Sequence, residues 1–169
     1  RTFFGYYGIA QPSIPLLVPE FQNPLFLKLL CKGLYESKQS KLPVGLYGIT
    51  AVFKLFVDNV NKKIADANFC DFNHKRPLVW QAIDALAEAM GAQQQDWLPI
   101  EVAERIINDL LRGRSHENSL YRHLISEGVL IENGRYLEQM EWLEVVQFAY
   151  ERFSDHLIVK HLLDKHLDP

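Results

Sequence analysis

The sequence predicts a mainly α chain, a helical bundle followed by a segment that carries a small β-hairpin. Three observations predict it. Apolar residues recur at three- or four-residue intervals through most of the chain up to Leu111, the spacing that places them on one face of a helix. Prolines and glycines interrupt the pattern where helices should begin or end, at Pro24, Pro43, Gly45, Pro77, Gly91 and Pro99. Beyond Gly128 the period gives way to short β-rich runs around Asn133-Gly134.

Residues 1 to 22 carry Pro12, Pro15 and Pro19, whose fixed φ and missing N–H prevent a long regular element, so an irregular connector is expected. The aromatic-rich opening, Arg1 to Gly8 with no initiator Met, is expected to begin inside a longer polypeptide. Asn23 followed by Pro24 is a helix start, a capping side chain and then a proline at the first helical position. Leu25, Phe26, Leu29, Leu30 and Leu34 continue its stripe to about Ser37. A long amphipathic helix follows, with Ile49, Phe53, Phe56, Val60, Ile64, Ala67 and Cys70 on one side and Lys54, Asp58, Asn61 and Lys62 between them. Pro77 precedes a third helix, through Val79, Trp80, Ile83, Leu86, Ala87 and Met90, that should end near Gly91. Pro99 opens a fourth, through Val102, Ala103, Ile106, Ile107, Leu110 and Leu111.

From Ser115 a short helix with Leu120, Tyr121, Leu124 and Ile125 should stop at Gly128, and Val129 to Ile131 reads as a strand. Asn133-Gly134 supplies the two positive-φ positions of a type I′ turn, which predicts a hairpin over residues 129 to 137. Val145 to Phe148 is another β-rich run. A last amphipathic helix should carry Phe153, Leu157, Ile158, Leu162 and Leu163. From Pro77 onward this order of helix, helix, short helix, hairpin and helix is that of a winged-helix variant with the hairpin as its wing. Three segments are therefore expected: a connector (1–22), a helical segment (23–75) and a winged-helix-like domain (76–169), the last two sharing an interface.

The 169 residues, 48% hydrophobic and 23% charged, have the composition of a globular chain. A net charge of -3 gives no uniform positive field to collect nucleic acid or anionic lipid. Cys31 and Cys70 each lie in an apolar helical pattern, which reads as buried reduced thiols and a cytoplasmic protein. No stretch reaches the roughly 18 to 20 apolar residues of a membrane-spanning helix.

Catalytic chemistry is largely missing. No Gly-x-x-x-x-Gly-Lys-Ser/Thr and no Gly-x-Gly-x-x-Gly occurs, so the chain is not expected to hydrolyse nucleotide by itself. Ser154, Asp155 and His156 name the residue types of a hydrolase triad, but helical neighbours point about 100° apart and cannot relay a proton in series. His156, His161 and His166 repeat every five residues, not the three or four that puts two ligands on one face. No metal site is expected. The segment from Glu117 to Gly128 would be the groove-reading helix of a nucleic-acid-binding winged helix. It offers Arg122 and His123 with Arg112 and Arg114 upstream, but also Glu117 and Glu127. That supports phosphate contact more than base reading, and makes a nucleic-acid-binding module the alternative function, with a plain protein-interaction domain as the third. Residues Tyr150 to His156 read physically as an amphipathic helix start, with Phe153 buried and Asp155 favoured by the helix dipole.

Two stretches resemble a known family. Glu20 to Cys31, with Asn23-Pro24 at its centre, is similar to the segment after the ATPase core of STAND-class P-loop ATPases, the NACHT and NB-ARC relatives, particularly the bacterial antiviral types. Phe148, Tyr150, Phe153 and Asp155 resemble the Phe-x-His-x-x-Phe-x-Glu pattern that closes the NACHT winged helix. The likeness covers nearly the whole chain. It implies that residues 1–22 lead from an ATPase core, that 23–75 is a helical lid, and that Pro24 packs near a bound adenine. It also implies that Tyr150 stands where the family's His senses nucleotide phosphate; a phenol can donate one hydrogen bond there. Asp155 stands where the family has Glu. Arg152, Phe153, Asp155 and His156 become candidates for a regulatory interface. The function implied is regulatory and non-catalytic: ATP or ADP with Mg is held by the upstream P-loop ATPase domain of the same polypeptide, and nucleotide exchange drives homo-oligomerisation.

Overall fold

A computed structural model describes residues 3–11, 24–43, 49–136 and 142–150. The fold is mainly α with one small antiparallel sheet: α1 (Phe3–Tyr6), α2 (Pro24–Glu36), α3 (Ile49–Ile64), α4 (Leu78–Ala92), β1 (Trp97–Pro99), α5 (Ile100–Leu110), α6 (Leu120–Ser126), β2 (Leu130–Tyr136) and β3 (Trp142–Phe148). The chain divides into two compact units, Arg1–Val60 and Asn61–Pro169, with the division inside α3. Among the described residues no helix is long and apolar enough to cross a membrane.

In the first unit the expected connector contains one helical turn, α1, whose Phe4 is buried. α2 begins at Pro24 as the sequence predicts; Asn23, its expected cap, lies outside the described residues. Phe26, Leu29, Leu30 and Leu34 form the buried stripe of α2, and Val52, Phe53, Phe56, Val57 and Val60 that of α3. The two helices meet at Gly33, where an added Cβ would stand 3.4 Å from Leu55. There the buried Asn59 amide donates to the Gly33 carbonyl at 2.8 Å, and Ser37 Oγ donates to Asn59 Oδ1 at 3.1 Å. A buried polar side chain with its bonds made fixes one arrangement of two otherwise slippery apolar faces.

The second unit begins with the last residues of α3. The expected helix continues to Cys70, but α3 ends at Ile64. Asp66 is the reason: its Oδ1 accepts from the Asn68 backbone N–H at 2.9 Å and from the Asn68 amide at 2.8 Å, a local turn that competes with helix propagation. Cys70 N then donates to Ile64 O, and Phe72 N to Ala65 O, which closes the helix end. α4 opens without a side-chain cap of its own, because Pro77 occupies the cap position. Asn61 supplies the cap from a distance: its Oδ1 accepts from Val79 N at 3.1 Å while its amide donates to the His74 and Arg76 carbonyls, each at 3.0 Å. The sequence pattern assigns Asn61 to the polar side of its helix; the fold buries it and uses it fully.

α6 ends as predicted. Gly128 has φ 74°, and its N–H donates to Ile125 O while Val129 N–H donates to Leu124 O. With Leu124 and Val129 both buried, this is a Schellman motif with its hydrophobic contact, and it redirects the chain into β2.

The sheet departs from expectation in two ways. β1 was not predicted: three residues are too few to show a period, yet Leu98 is buried and Trp97, Leu98 and Pro99 pair antiparallel with Gln147, Val146 and Val145. The hairpin is also longer than the one read from Asn133-Gly134. Neither residue has a positive φ; both lie inside β2, Asn133 opposite Val145 and Gly134 opposite Glu144, and the ladder runs on to Tyr136 opposite Trp142. Asn133-Gly134 is therefore not the turn, and residues 137–141 lie outside the described residues. Gly134 has another use, since a Cβ there would overlap the Trp142 ring. Trp142 lies across the glycine and meets Tyr136 edge-on, with ring centroids 4.8 Å apart. The longer ladder and its cross-strand aromatic pair outweigh the local turn preference. The sheet order is β1-β3-β2, and Leu130, Val146 and Phe148 are buried on one face of the hairpin. The final helix expected from Phe153 onward lies outside the described residues.

Candidate functional site

α5 and the connector that follows it, residues 111 to 119, form an open pocket of about 480 Å³. The polar side chains around it come from Arg105, Asn108 and Asp109 on α5 and from Arg112, Arg114 and His116 on the connector. α5 is strongly two-faced, with Ala103 and Ile107 buried, so Arg105 and Asp109, one helical turn apart, share its outer face. The connector turns at Gly113, φ 81°, which brings Arg112 and Arg114 back beside that face. Ser119 then caps α6 by accepting from Arg122 N at 3.3 Å.

The guanidiniums are held in different ways. Arg112 pairs with Asp109 at 2.9 Å, both well exposed. Arg114 donates to the backbone carbonyl of Asp71 at 2.6 Å, with the Asp71 carboxylate at 4.0 Å. Arg105 has no ion pair among the described residues. Arg122, next to the pocket, donates through Nε to His116 Nε2 at 3.2 Å, a bond that assigns the ring proton of His116 to Nδ1. Arg122 also stands 3.9 Å from Glu132 on β2, which accepts from Tyr121 Oη at 2.9 Å. Burial and that bond to Glu132 push the Tyr121 phenol above its ordinary range.

Of the residues singled out from sequence, Arg112 and Arg114 converge in this pocket and Arg122 adjoins it. His123 does not join them: it packs edge-on against Phe69 at 5.3 Å, its Nε2 is buried without a hydrogen-bond partner among the described residues, and burial lowers its pKa. Pro24 is exposed in the first turn of α2. Tyr150 is 6% exposed, two residues after β3. Arg152, Phe153, Asp155 and His156 lie outside the described residues. Sequence reasoning missed Arg105, Asn108, Asp109 and His116; the turn-spaced Arg105 and Asp109 opposite a buried stripe were the available signal.

Burial pushes both thiols, Cys31 and Cys70, up to about 11, so neither is a nucleophile near neutral pH. Among the described residues no three His, Cys, Asp or Glu side chains gather as a metal site. The pocket offers the cationic hydrogen-bond donors Arg105, Arg112 and Arg114, an arrangement suited to binding an anion. The chain matches no protein-family model, no curated protein and no solved structure.

Proposed function

We propose that this chain is the helical-lid and winged-helix region of a STAND-class P-loop ATPase of the NACHT and NB-ARC kind. In this reading it is a non-catalytic regulatory arm that couples the ADP or ATP state of a core on the same polypeptide to oligomerisation in antiviral defence or signalling. The observation that carries the proposal is the topology of the second unit, in which α4, β1, α5 and α6 precede β2 and β3 and the sheet order is β1-β3-β2. We read that arrangement as a winged helix with β2 and β3 as the wing. Tyr150, a buried phenol two residues after β3, is the residue to which the resemblance gives the phosphate-sensing role, and the reading assigns it that role. A nucleotide switch requires a group that contacts one nucleotide state better than the other.

The coding sequence upstream of Arg1 tests the reading at once: it should contain a strand followed by Gly-x-x-x-x-Gly-Lys-Ser/Thr and then an acidic strand end to hold Mg. In the intact protein, Tyr150→Phe keeps the ring that fills the buried space and removes only the hydroxyl. Loss of one hydrogen bond to a charged phosphate is expected to speed ADP release about tenfold. Release of a fluorescent ADP analogue measures this, and unchanged release in both Tyr150→Phe and Asp155→Ala removes the site assignment.

The second reading, a nucleic-acid-binding winged helix, is favoured by one observation: Arg112, Arg114 and Arg122 cluster where α6 begins. It predicts affinity for duplex DNA that falls steeply with salt and depends on those three residues.

A further inference from the structure

We propose that the pocket at the C-terminal end of α5 is a binding site for a phosphate-bearing anion. The inference rests on neither reading above; it needs only the geometry of the pocket. Three guanidiniums, Arg105, Arg112 and Arg114, face one space with a single carboxylate, Asp109, among the lining residues, in a chain whose net charge is -3. Like charges gathered against the overall balance repel one another unless an anion sits between them.

The three are not equally committed. The bond between Arg112 and Asp109 joins two exposed groups three residues apart, and such a pair contributes little and exchanges readily. Arg114 is oriented by a neutral carbonyl, which aims the guanidinium without cancelling its charge, and the Asp71 carboxylate is too distant to do so fully. Arg105 is available. His116, its Nε2 occupied by Arg122, keeps an Nδ1–H to donate, and that bond places a fourth guanidinium directly behind the imidazole.

The donor set also selects the class of anion. One carboxylate satisfies one arginine fork, whereas a phosphate or pyrophosphate brings about two or more negative charges and three or more acceptor oxygens, enough for several forks at once. The volume, about 480 Å³, is in the range of small-molecule sites, and of the residues that line it only Leu111 and Gly113 lack a polar side-chain group.

The test is calorimetric titration of the full chain at low salt with inorganic pyrophosphate, ATP, an oligo-thymidylate and citrate. Pyrophosphate is expected to bind more tightly than citrate, and Arg105→Ala and Arg112→Ala each to weaken it at least about tenfold. Both side chains are on the surface, so both variants should fold, and Lys75→Ala serves as the exposed control that leaves affinity unchanged. If ATP binds more tightly than pyrophosphate, the natural ligand is a free nucleotide. If the oligonucleotide binds most tightly, with log affinity falling linearly in log salt, it is a polynucleotide backbone. Either result supports the site. No binding of any phosphate probe overturns the proposal, as does citrate binding equal to pyrophosphate, or affinity that survives loss of Arg105 and Arg112.

Discussion

A single amide, Asn61, joins the end of α3 to the start of α4. Its three hydrogen bonds, one accepted from Val79 and two donated to the His74 and Arg76 carbonyls, replace the cap that Pro77 cannot supply. The Val79 N–H is buried, so no water takes over when the side chain is cut back. Asn61→Ala is therefore expected to cost about 1–3 kcal/mol, the penalty for a buried donor left unmade, read as a lower midpoint in urea. A loss below about 0.5 kcal/mol, the scale of an ordinary surface substitution, would mean that α4 starts without help.

Among the elements, the β2–β3 hairpin carries a cross-strand aromatic pair. Tyr136 and Trp142, 74% and 57% exposed, form its outermost pair, and Gly134 makes room for the indole. The roles of the two residues should be coupled. Gly134→Ala is expected to destabilise the chain by about 0.5–1.5 kcal/mol, the worth of an aromatic pair. In a Trp142→Ala background the same change should be neutral or stabilising, because alanine loses less backbone freedom than glycine in a strand. A double-mutant cycle measures the difference, and purely additive effects would show that the glycine does not serve the ring.

For the molecule as a whole, pH should act through His123. Burial lowers its pKa below the ordinary 6.5; Glu127 opposes this and Lys63, which pairs with Glu127 at 2.7 Å, reinforces it. The unfolded chain thus binds a proton near 6.5 that the folded chain refuses until lower pH, so stability rises with pH across that window. The contribution is complete above about pH 6.5 and is lost as pH falls below it toward the folded value. Urea midpoints between pH 7.5 and 5.5 should drop more steeply for the native chain than for His123→Gln; equal slopes would assign the acid sensitivity elsewhere.

The sequence by itself determined the features whose causes lie within a few residues. The apolar stripes of α2, α4, α5 and α6 were legible from their period, the start of α2 from Pro24, and the end of α6 from Gly128, because hydrogen bonding to the fourth residue back and a left-handed stop are local events. Even the overrun of α3 was local in origin: Asp66 bonding to Asn68 was available in the sequence but is outvoted by the periodicity around it. Tertiary structure alone decided the rest. Asn61 reaches Val79 across 18 residues, Arg114 reaches Asp71 across 43, and β1 exists only because β3 offers it an edge. The same holds for the pocket, where Arg112 and Arg114 could be named from their charge while their meeting with Arg105 and His116 could not. Side chains that meet through a turn and a packed helix obey no sequence period, and only the closed chain brings their charges into one space.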